Sequence, residues 1–129
     1  MPVLVVSRWP LLSAAFLGAT GVMAGAFGAH GLRAVVSNPM LEVWQTAAHY
    51  QLAHALALLA LALAMVVSPP MAASQAALWA ARLWLLGSLV FAGSLYSLVL
   101  TGIGLFGAIT PVGGVLLIAG WCSLLMIKQ

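Results

Sequence analysis

The sequence is poor in charged side chains. Its 129 residues include one acidic and four basic side chains, or 4% charged residues, against roughly 25% in a typical soluble domain. So few charges cannot cover a water-soluble surface. The single carboxylate, Glu42, excludes paired-carboxylate chemistry and is not placed to complete a Ser–His–acid triad. These absences argue against a soluble enzyme, and the sequence predicts no enzymatic activity.

The one cysteine and the scattered basic residues exclude further classes of protein. Cys122 stands alone in an apolar stretch, so the sequence holds no disulfide framework and no cysteine-based metal site. The four basic residues stand singly at the ends of apolar stretches. Membrane proteins place Lys and Arg in this way, so the net charge of +3 does not indicate a nucleic-acid partner.

Long uncharged stretches fill residues 9–32, 43–81 and 83–127. A bilayer core of about 30 Å needs roughly 20 apolar residues in a helix. Turn residues interrupt the two longer stretches at Pro69 and Pro70 and at Thr110 and Pro111. The sequence therefore predicts one all-α domain over residues 1–129, an integral membrane bundle with short loops. Its four transmembrane helices are expected at about 10–30, 39–67, 75–101 and 111–127.

Capping residues define the expected helix ends. Gly31 ends the first helix, because glycine favours the position just past a helix. Asn38 is the expected N-cap of the second helix, with Pro39 behind it as the first helical residue. Thr110 and Pro111 have the same relation at the start of the fourth helix.

The basic residues predict the orientation in the membrane. Four spans put both termini on one side, together with Arg8, Arg82 and Lys128, whereas Arg33 lies on the other side. This imbalance predicts that both termini are cytoplasmic. Five tryptophans fall near the two membrane faces as expected interfacial anchors, namely Trp9, Trp79, Trp84 and Trp121 inside and Trp44 outside.

Small residues at helical spacing predict where the helices approach one another. Lipid tails are as apolar as leucine, so close backbone contact and buried hydrogen bonds must hold the spans together. The candidate packing residues are Gly21, Gly25 and Ala29 on the first helix, Gly93 on the third, and Gly113, Gly114 and Gly120 on the fourth. Packing within the chain is favoured, but a homo-oligomer or a larger membrane complex, surrounded by lipid, stays open.

Polar residues inside the spans concentrate on the second helix. Glu42, Gln45, Thr46 and His49 share an arc of about 100°, Tyr50 and His54 extend it, and Gln51 falls off it. We expect this stripe to face other helices or water, with partners on the third helix and near the outer end of the first. The whole candidate cluster is His30, Glu42, Gln45, Thr46, His49, Tyr50, Gln51, His54, Ser94, Tyr96, Ser97 and Thr101.

Three hypotheses account for these polar side chains. They form a hydrogen-bonded network that fixes helix packing, or a path for protons or small solutes. The third hypothesis is a metal, haem or quinone site that uses His30, His49 or His54. Because His49 and His54 differ by about 140° around the helix, they are poor joint ligands. The sequence therefore predicts no metal and no cofactor.

Several ordered segments resemble one known family. They read GAFGAHGL at 25–32, WQTA at 44–47, YQ at 50–51, HALALL at 54–59, GSLY at 93–96, LTG at 100–102, ITPVGG at 109–114 and GW at 120–121. The chain resembles the YgdD-like family of small bacterial membrane proteins, domain of unknown function 423. His49 lies outside these segments. The resemblance implies an inner-membrane protein with four spans and supplies no activity.

The functional hypotheses rest on the residues, because the resemblance supports the fold and supplies no function. The leading hypothesis is a structural, assembly or accessory component of the inner membrane, built on a hydrogen-bonded four-helix bundle. A proton or small-solute path along the polar face of the second helix is the alternative. A cofactor-binding subunit ranks third.

Overall fold

The computed structural model describes residues 6–128 and contains four long helices. They are α1 (Trp9–Ala29), α2 (Asn38–Val67), α4 (Gln75–Thr101) and α5 (Gly104–Ser123). A short α3 (Pro69–Ala73) and two 3₁₀ turns, Leu32–Ala34 and Leu124–Met126, complete the described chain. Each long helix is long and apolar enough to span a membrane. The prediction of an all-α protein with four spans is confirmed.

Serine side chains start three of the helices. Ser37, Ser68 and Ser74 each accept a hydrogen bond from the backbone N–H three residues further on, at 3.4, 3.4 and 3.2 Å. These bonds satisfy amides that have no partner within the helix. The N-cap of α2 is therefore Ser37 and not Asn38, which is already the first helical residue. The proline pair after Ser68 ends α2 and also opens α3.

Two glycines near helix ends have different backbone conformations. Gly31 follows α1 with a φ of −67° and leads into a 3₁₀ turn, so it does not provide a left-handed end. Gly102 ends α4 with a φ of +71°, and its N–H bonds to the carbonyl of Leu98 at 2.8 Å. Glycine adopts a positive φ without a steric penalty. This conformation lets two residues join α4 to α5.

The fourth transmembrane helix begins at Gly104, whereas the sequence predicted a start at 111. Pro111 lies inside α5, and Thr110 does not cap the helix but donates to the carbonyl of Phe106 at 3.2 Å. A proline inside a helix removes one backbone hydrogen bond. Because this proline is the eighth residue of α5, about two turns form before it from the apolar residues after Gly102.

The long helices pack in the order α1, α2, α4, α5. α2 lies between α1 and α4, and α5 packs along α4. α1 meets α4 at only a few positions, and in the described chain the α5 backbone stays away from α1 and α2. The α2 backbone therefore lies close to two long helices, and a third face of α2 points toward the surroundings.

Close contacts between α1 and α2 occur at glycines seven residues apart. A methyl group on Gly21 would lie 2.9 Å from Leu52, and one on Gly28 would lie 2.7 Å from Trp44. Gly25, by contrast, has open space beside it, and Ala29 is exposed. The predicted four-residue groove is thus replaced by a seven-residue repeat, the spacing of left-handed helix pairs.

The contact between α4 and α5 follows the same spacing. A methyl group on Gly113 would overlap the backbone of Phe91, and one on Gly120 would lie 2.5 Å from Trp84. Gly114 has its nearest neighbour at 3.9 Å, and Gly93 has none within 4 Å. Gly113 and Gly120 therefore make the predicted close approach, whereas Gly93 and Gly114 do not.

Candidate functional site

A buried glutamine joins three helices near the centre of the membrane. The amide nitrogen of Gln51 donates to the Leu17 carbonyl at 3.0 Å and to the Thr20 hydroxyl at 2.7 Å. At 1.5 Å per residue, the 21 residues of α1 span about 31 Å, the thickness of a bilayer core. Leu17 and Thr20 flank the midpoint of α1, so Gln51 lies level with the middle of this candidate span.

The other end of the same amide bonds to α4. The Gln51 carbonyl oxygen accepts a hydrogen bond from the Tyr96 hydroxyl at 2.8 Å. The Thr20 hydroxyl donates a hydrogen bond to the Phe16 carbonyl at 2.7 Å. Gln51 is 5% exposed, so these bonds form away from water. The amide thus has a partner for each of its donors and for its acceptor. We call Thr20, Gln51 and Tyr96 the Gln51 network.

The position of Gln51 differs from the helical-wheel prediction. The wheel placed Gln51 outside the polar arc of Glu42 and His49, and the structure also turns it away from that arc. However, α1 and α4 pack on the Gln51 side, whereas Glu42 and His49 are exposed. The residue set apart by the wheel is therefore the one that links the helices, because polar residues alone do not say where the neighbouring helices lie.

His54 forms a second link, between α2 and α5. Its Nδ1 lies 2.7 Å from the Tyr50 carbonyl oxygen, and its Nε2 lies 3.0 Å from the indole nitrogen of Trp121. A carbonyl only accepts and an indole N–H only donates. The geometry therefore requires a neutral imidazole with its proton on Nδ1. Both ring nitrogens of His54 are used in hydrogen bonds.

Aromatic rings surround His54. The ring of Trp84 lies 6.4 Å from His54 and 4.6 Å from Trp121. The Tyr50 ring stacks on His54 at 6.4 Å and lies 4.7 Å from Phe91 in a tilted contact. Trp84 is only 2% exposed, so it does not anchor at the membrane face as predicted. Its indole fits against Gly120, where a side chain would collide with it. The Trp84 N–H has no hydrogen-bond partner among the described residues.

Trp44, in the N-terminal part of α2, is buried as well. Its indole N–H donates to the Ala24 carbonyl at 2.7 Å, and its ring lies 4.4 Å from Tyr96 and 5.6 Å from Phe27. The predicted outer anchor is thus a contact between α1, α2 and α4. The space that Gly28 leaves open is the signal in the sequence for this contact.

The remaining candidates on α4 bond locally or to α5. Ser94 lies 2.7 Å from the Thr110 hydroxyl and so links α4 to α5. Ser97 and Thr101 donate to carbonyls of their own helix, at 2.8 and 2.6 Å. They are therefore not partners of the α2 stripe, contrary to the prediction. His30 is exposed beyond the end of α1.

The N-terminal part of the predicted α2 stripe lies on the surface of the helix bundle. Glu42, Gln45, Thr46 and His49 are all exposed. Within residues 6–128, the α2 side chains that hydrogen-bond to other long helices are different ones, namely Trp44, Gln51 and His54. In this structure the four stripe residues line no passage between helices.

The three histidines lie apart. Across residues 6–128, no three His, Cys, Asp or Glu side chains come close enough to hold a metal ion together. His30 is exposed past α1, His49 faces outward, and His54 is buried toward α5. Sequence reasoning missed Thr20 and Trp121 as partners, because neither lies in the polar segment of α2.

Comparison with known proteins identifies relatives along most of the chain. The sequence model of a family described as protein of unknown function, DUF423, matches residues 24–114. A UPF0382 membrane protein of Staphylococcus aureus (strain bovine RF122 / ET3-1) is 46% identical over 114 residues, 85% of this chain and 89% of the relative. One from Staphylococcus haemolyticus (strain JCSC1435) is 45% identical over 102 residues, 79% of this chain and 80% of the relative. No solved structure matches.

Proposed function

The chain belongs to the DUF423 family of multi-pass membrane proteins, and we propose that it acts as a structural, assembly or accessory component of a membrane. The observation that carries the proposal is the Gln51 network. The Gln51 amide, level with the middle of α1, makes its hydrogen bonds to α1 and α4. Such bonds fix the packing of helices that hydrophobicity cannot hold together in lipid.

The second buried polar residue supports the same role. His54 has both ring nitrogens in hydrogen bonds, one to the Tyr50 carbonyl and one to Trp121. A proton relay or a metal ligand needs a ring nitrogen that can exchange its partner. We therefore favour a packing role for His54 and a non-catalytic role for the protein.

The proposed location is the bacterial inner membrane, with both termini in the cytoplasm. One end of the bundle holds the first and last described residues together with Arg8, Arg82 and Lys128. Arg33 lies at the opposite end. Positive residues favour the cytoplasmic side. A green fluorescent protein fused after residue 129 should fluoresce, and alkaline phosphatase fused there should stay inactive. The opposite pair of results would reverse the orientation.

The alternative of a conduction path receives less support from the geometry. Glu42 and His49, which were expected to line such a path, are exposed on the outside of α2. A path along them would have to be enclosed by another chain. Proton flux into proteoliposomes therefore provides a direct contrast between the two functions.

Native mass spectrometry of protein extracted gently with its lipid tests the proposed role. An accessory component should carry stoichiometric protein subunits, and proteoliposomes should show no flux above empty vesicles. Gln51→Leu should reduce the assembled fraction, whereas Gln75→Leu, the same change on an exposed residue at the start of α4, serves as the matched comparison. A monomer that holds a stoichiometric small molecule, or pH-dependent flux lost in His49→Ala, would overturn the proposal.

A further inference from the structure

The exposed face of α2 has a regular composition. Eight of its residues alternate in steps of four and three, and every one is exposed: Glu42, Thr46, His49, Ala53, Leu56, Ala60, Leu63 and Val67. We call this set the α2 seam. Steps of four and three average 3.5 residues, the repeat of two helices that cross in a left-handed pair. The seam therefore has the pattern of a helix–helix contact, yet none of the described helices covers it.

The polar half of the seam lies inside the membrane. Gln51 marks the bilayer centre through its bonds to the middle of α1. At 1.5 Å per residue, His49 is about 3 Å from that level and Thr46 about 7.5 Å. An exposed imidazole near the bilayer centre would face lipid, where polar groups are costly and normally turn toward protein or water. The position of His49 thus indicates that something other than lipid covers the seam.

We propose that the α2 seam binds the same seam of a second copy, with a two-fold axis along the membrane normal. Two copies insert with the same orientation, so residues at the same depth meet, His49 with His49 and Thr46 with Thr46. A neutral imidazole carries one donor and one acceptor, and a hydroxyl carries both. Each of these groups is therefore complementary to its own copy, which favours self-association over a different partner.

The residues beside the seam fit the same arrangement. Gln45 and Tyr50 flank it on opposite sides and are five residues apart, the spacing of facing flank positions in a parallel helix pair. The Gln45 amide of one copy can accept from the Tyr50 hydroxyl of the other. Tyr50 is 48% exposed, so its edge is accessible. The contact would thus hydrogen-bond the polar residues of the outer half in pairs.

Small residues let the two backbones approach. Thr46, Ala53 and Ala60 recur every seven residues along the seam, and small residues at a helix interface permit close packing in lipid. Glu42 lies about 13.5 Å from the level of Gln51, near the edge of the hydrocarbon. There the two carboxylates of a pair remain in contact with water, which weakens their repulsion.

Cysteine cross-linking in vesicles tests the proposed interface. Cys122 is exposed, so it is first replaced in a Cys122→Ser background. Ala53→Cys and Ala60→Cys place thiols on the seam, and Ala19→Cys and Ala15→Cys are matched controls at exposed alanines of α1. Oxidation at high dilution in lipid should give disulfide-linked dimers for the two seam variants only. Equal cross-linking at all four positions, or none at the seam, would overturn the proposal.

A second measurement separates a lost contact from a misfolded chain. Energy transfer between labelled copies in phosphatidylcholine–phosphatidylglycerol vesicles gives the dimer dissociation constant. His49→Leu should raise it about three- to tenfold, as expected for the loss of one or two intramembrane hydrogen bonds. Ala53→Leu should raise it as well, whereas Ala19→Leu should not. Thermal unfolding of each variant in detergent checks that the monomer is intact.

The second measurement also identifies a wrong partner. If the wild-type chain stays monomeric in vesicles while the Ala53→Cys variant forms an adduct with a different protein in cell membranes, the seam binds that protein and the self-association is refuted. A dimer that responds to Ala19→Leu and not to His49→Leu would place the interface on α1 and would equally refute it. These outcomes are independent of the accessory role, which concerns the whole complex.

Discussion

Replacing Gln51 by leucine is the perturbation that most directly probes the packing network. Leucine fills the space between α1, α2 and α4 with an apolar side chain of similar size. It removes two hydrogen bonds to α1 and one to α4. Because Gln51 is 5% exposed, water cannot replace these bonds. We expect the folded state to lose stability.

The magnitude follows from the number of bonds and from the groups left behind. An interhelical hydrogen bond in a membrane contributes about 0.6 kcal/mol on average, so the three bonds of Gln51 contribute about 2 kcal/mol. The Tyr96 hydroxyl also loses its partner, and an unsatisfied buried polar group costs about 1–3 kcal/mol. The two contributions together give an expected loss of about 3–5 kcal/mol for Gln51→Leu. Tyr96→Phe removes one bond and should cost about 1 kcal/mol.

The assay is reversible unfolding in mixed micelles, followed by the signal of the buried tryptophans. Gln45→Leu is the matched control, because Gln45 lies on the same helix and is exposed. It should leave the monomer as stable as wild type. A double variant with Tyr96→Phe should lose less than the two single losses combined, because the residues share a bond. If Gln51→Leu were as stable as wild type, the network would not hold the helices and the argument from its geometry would fail.

The remaining predictions concern helix contacts outside that network. Gly113→Ala forces a methyl group into the neighbouring backbone and should cost about 1–3 kcal/mol in thermal unfolding, whereas Gly114→Ala, with 3.9 Å of space, should cost far less. Trp121→Phe removes the indole donor to His54 and should cost about 1 kcal/mol in denaturant unfolding. The ¹⁵N chemical shift of His54 Nε2 should differ from wild type, because this nitrogen loses its hydrogen bond. Gly102→Ala places a side chain at a φ of +71° and should cost about 1 kcal/mol in the same unfolding assay.

The number and type of spans could be read from the sequence because they follow from composition. Charge-free stretches of more than about 20 residues leave few options besides transmembrane helices. The start of α5 could not be read in the same way. Proline favours the first turn of a helix, so Pro111 predicted a start there. In the structure Pro111 lies inside α5, because the positive φ of Gly102 ends α4 at Thr101 and α5 begins at Gly104. The position of Pro111 within the helix thus depends on where the preceding turn lets α5 begin.

The polar site was only partly predictable, for a geometric reason. The sequence places Gln45 and Gln51 in the same helix, within two turns of each other, and both carry the same amide. Their surroundings differ because α1 and α4 contact only one side of α2. The partners of Gln51 and His54, Thr20 and Trp121, lie 31 and 67 residues away along the chain. Such pairings depend on the tertiary arrangement, which periodicity within one helix does not contain.

The arrangement of α2 has a consequence for how the protein sits among other membrane proteins. Gln51 and His49 are two residues apart, so they lie at nearly the same depth but about 160° apart around the helix. No single neighbouring helix can reach both side chains. α1 and α4 already bind Gln51, and the short links after α1 and α4 pair each helix with its successor, which leaves none to cross over to His49. Among the helices of residues 6–128, none is placed to bond a polar side chain on that face, which is why we propose a partner helix for it.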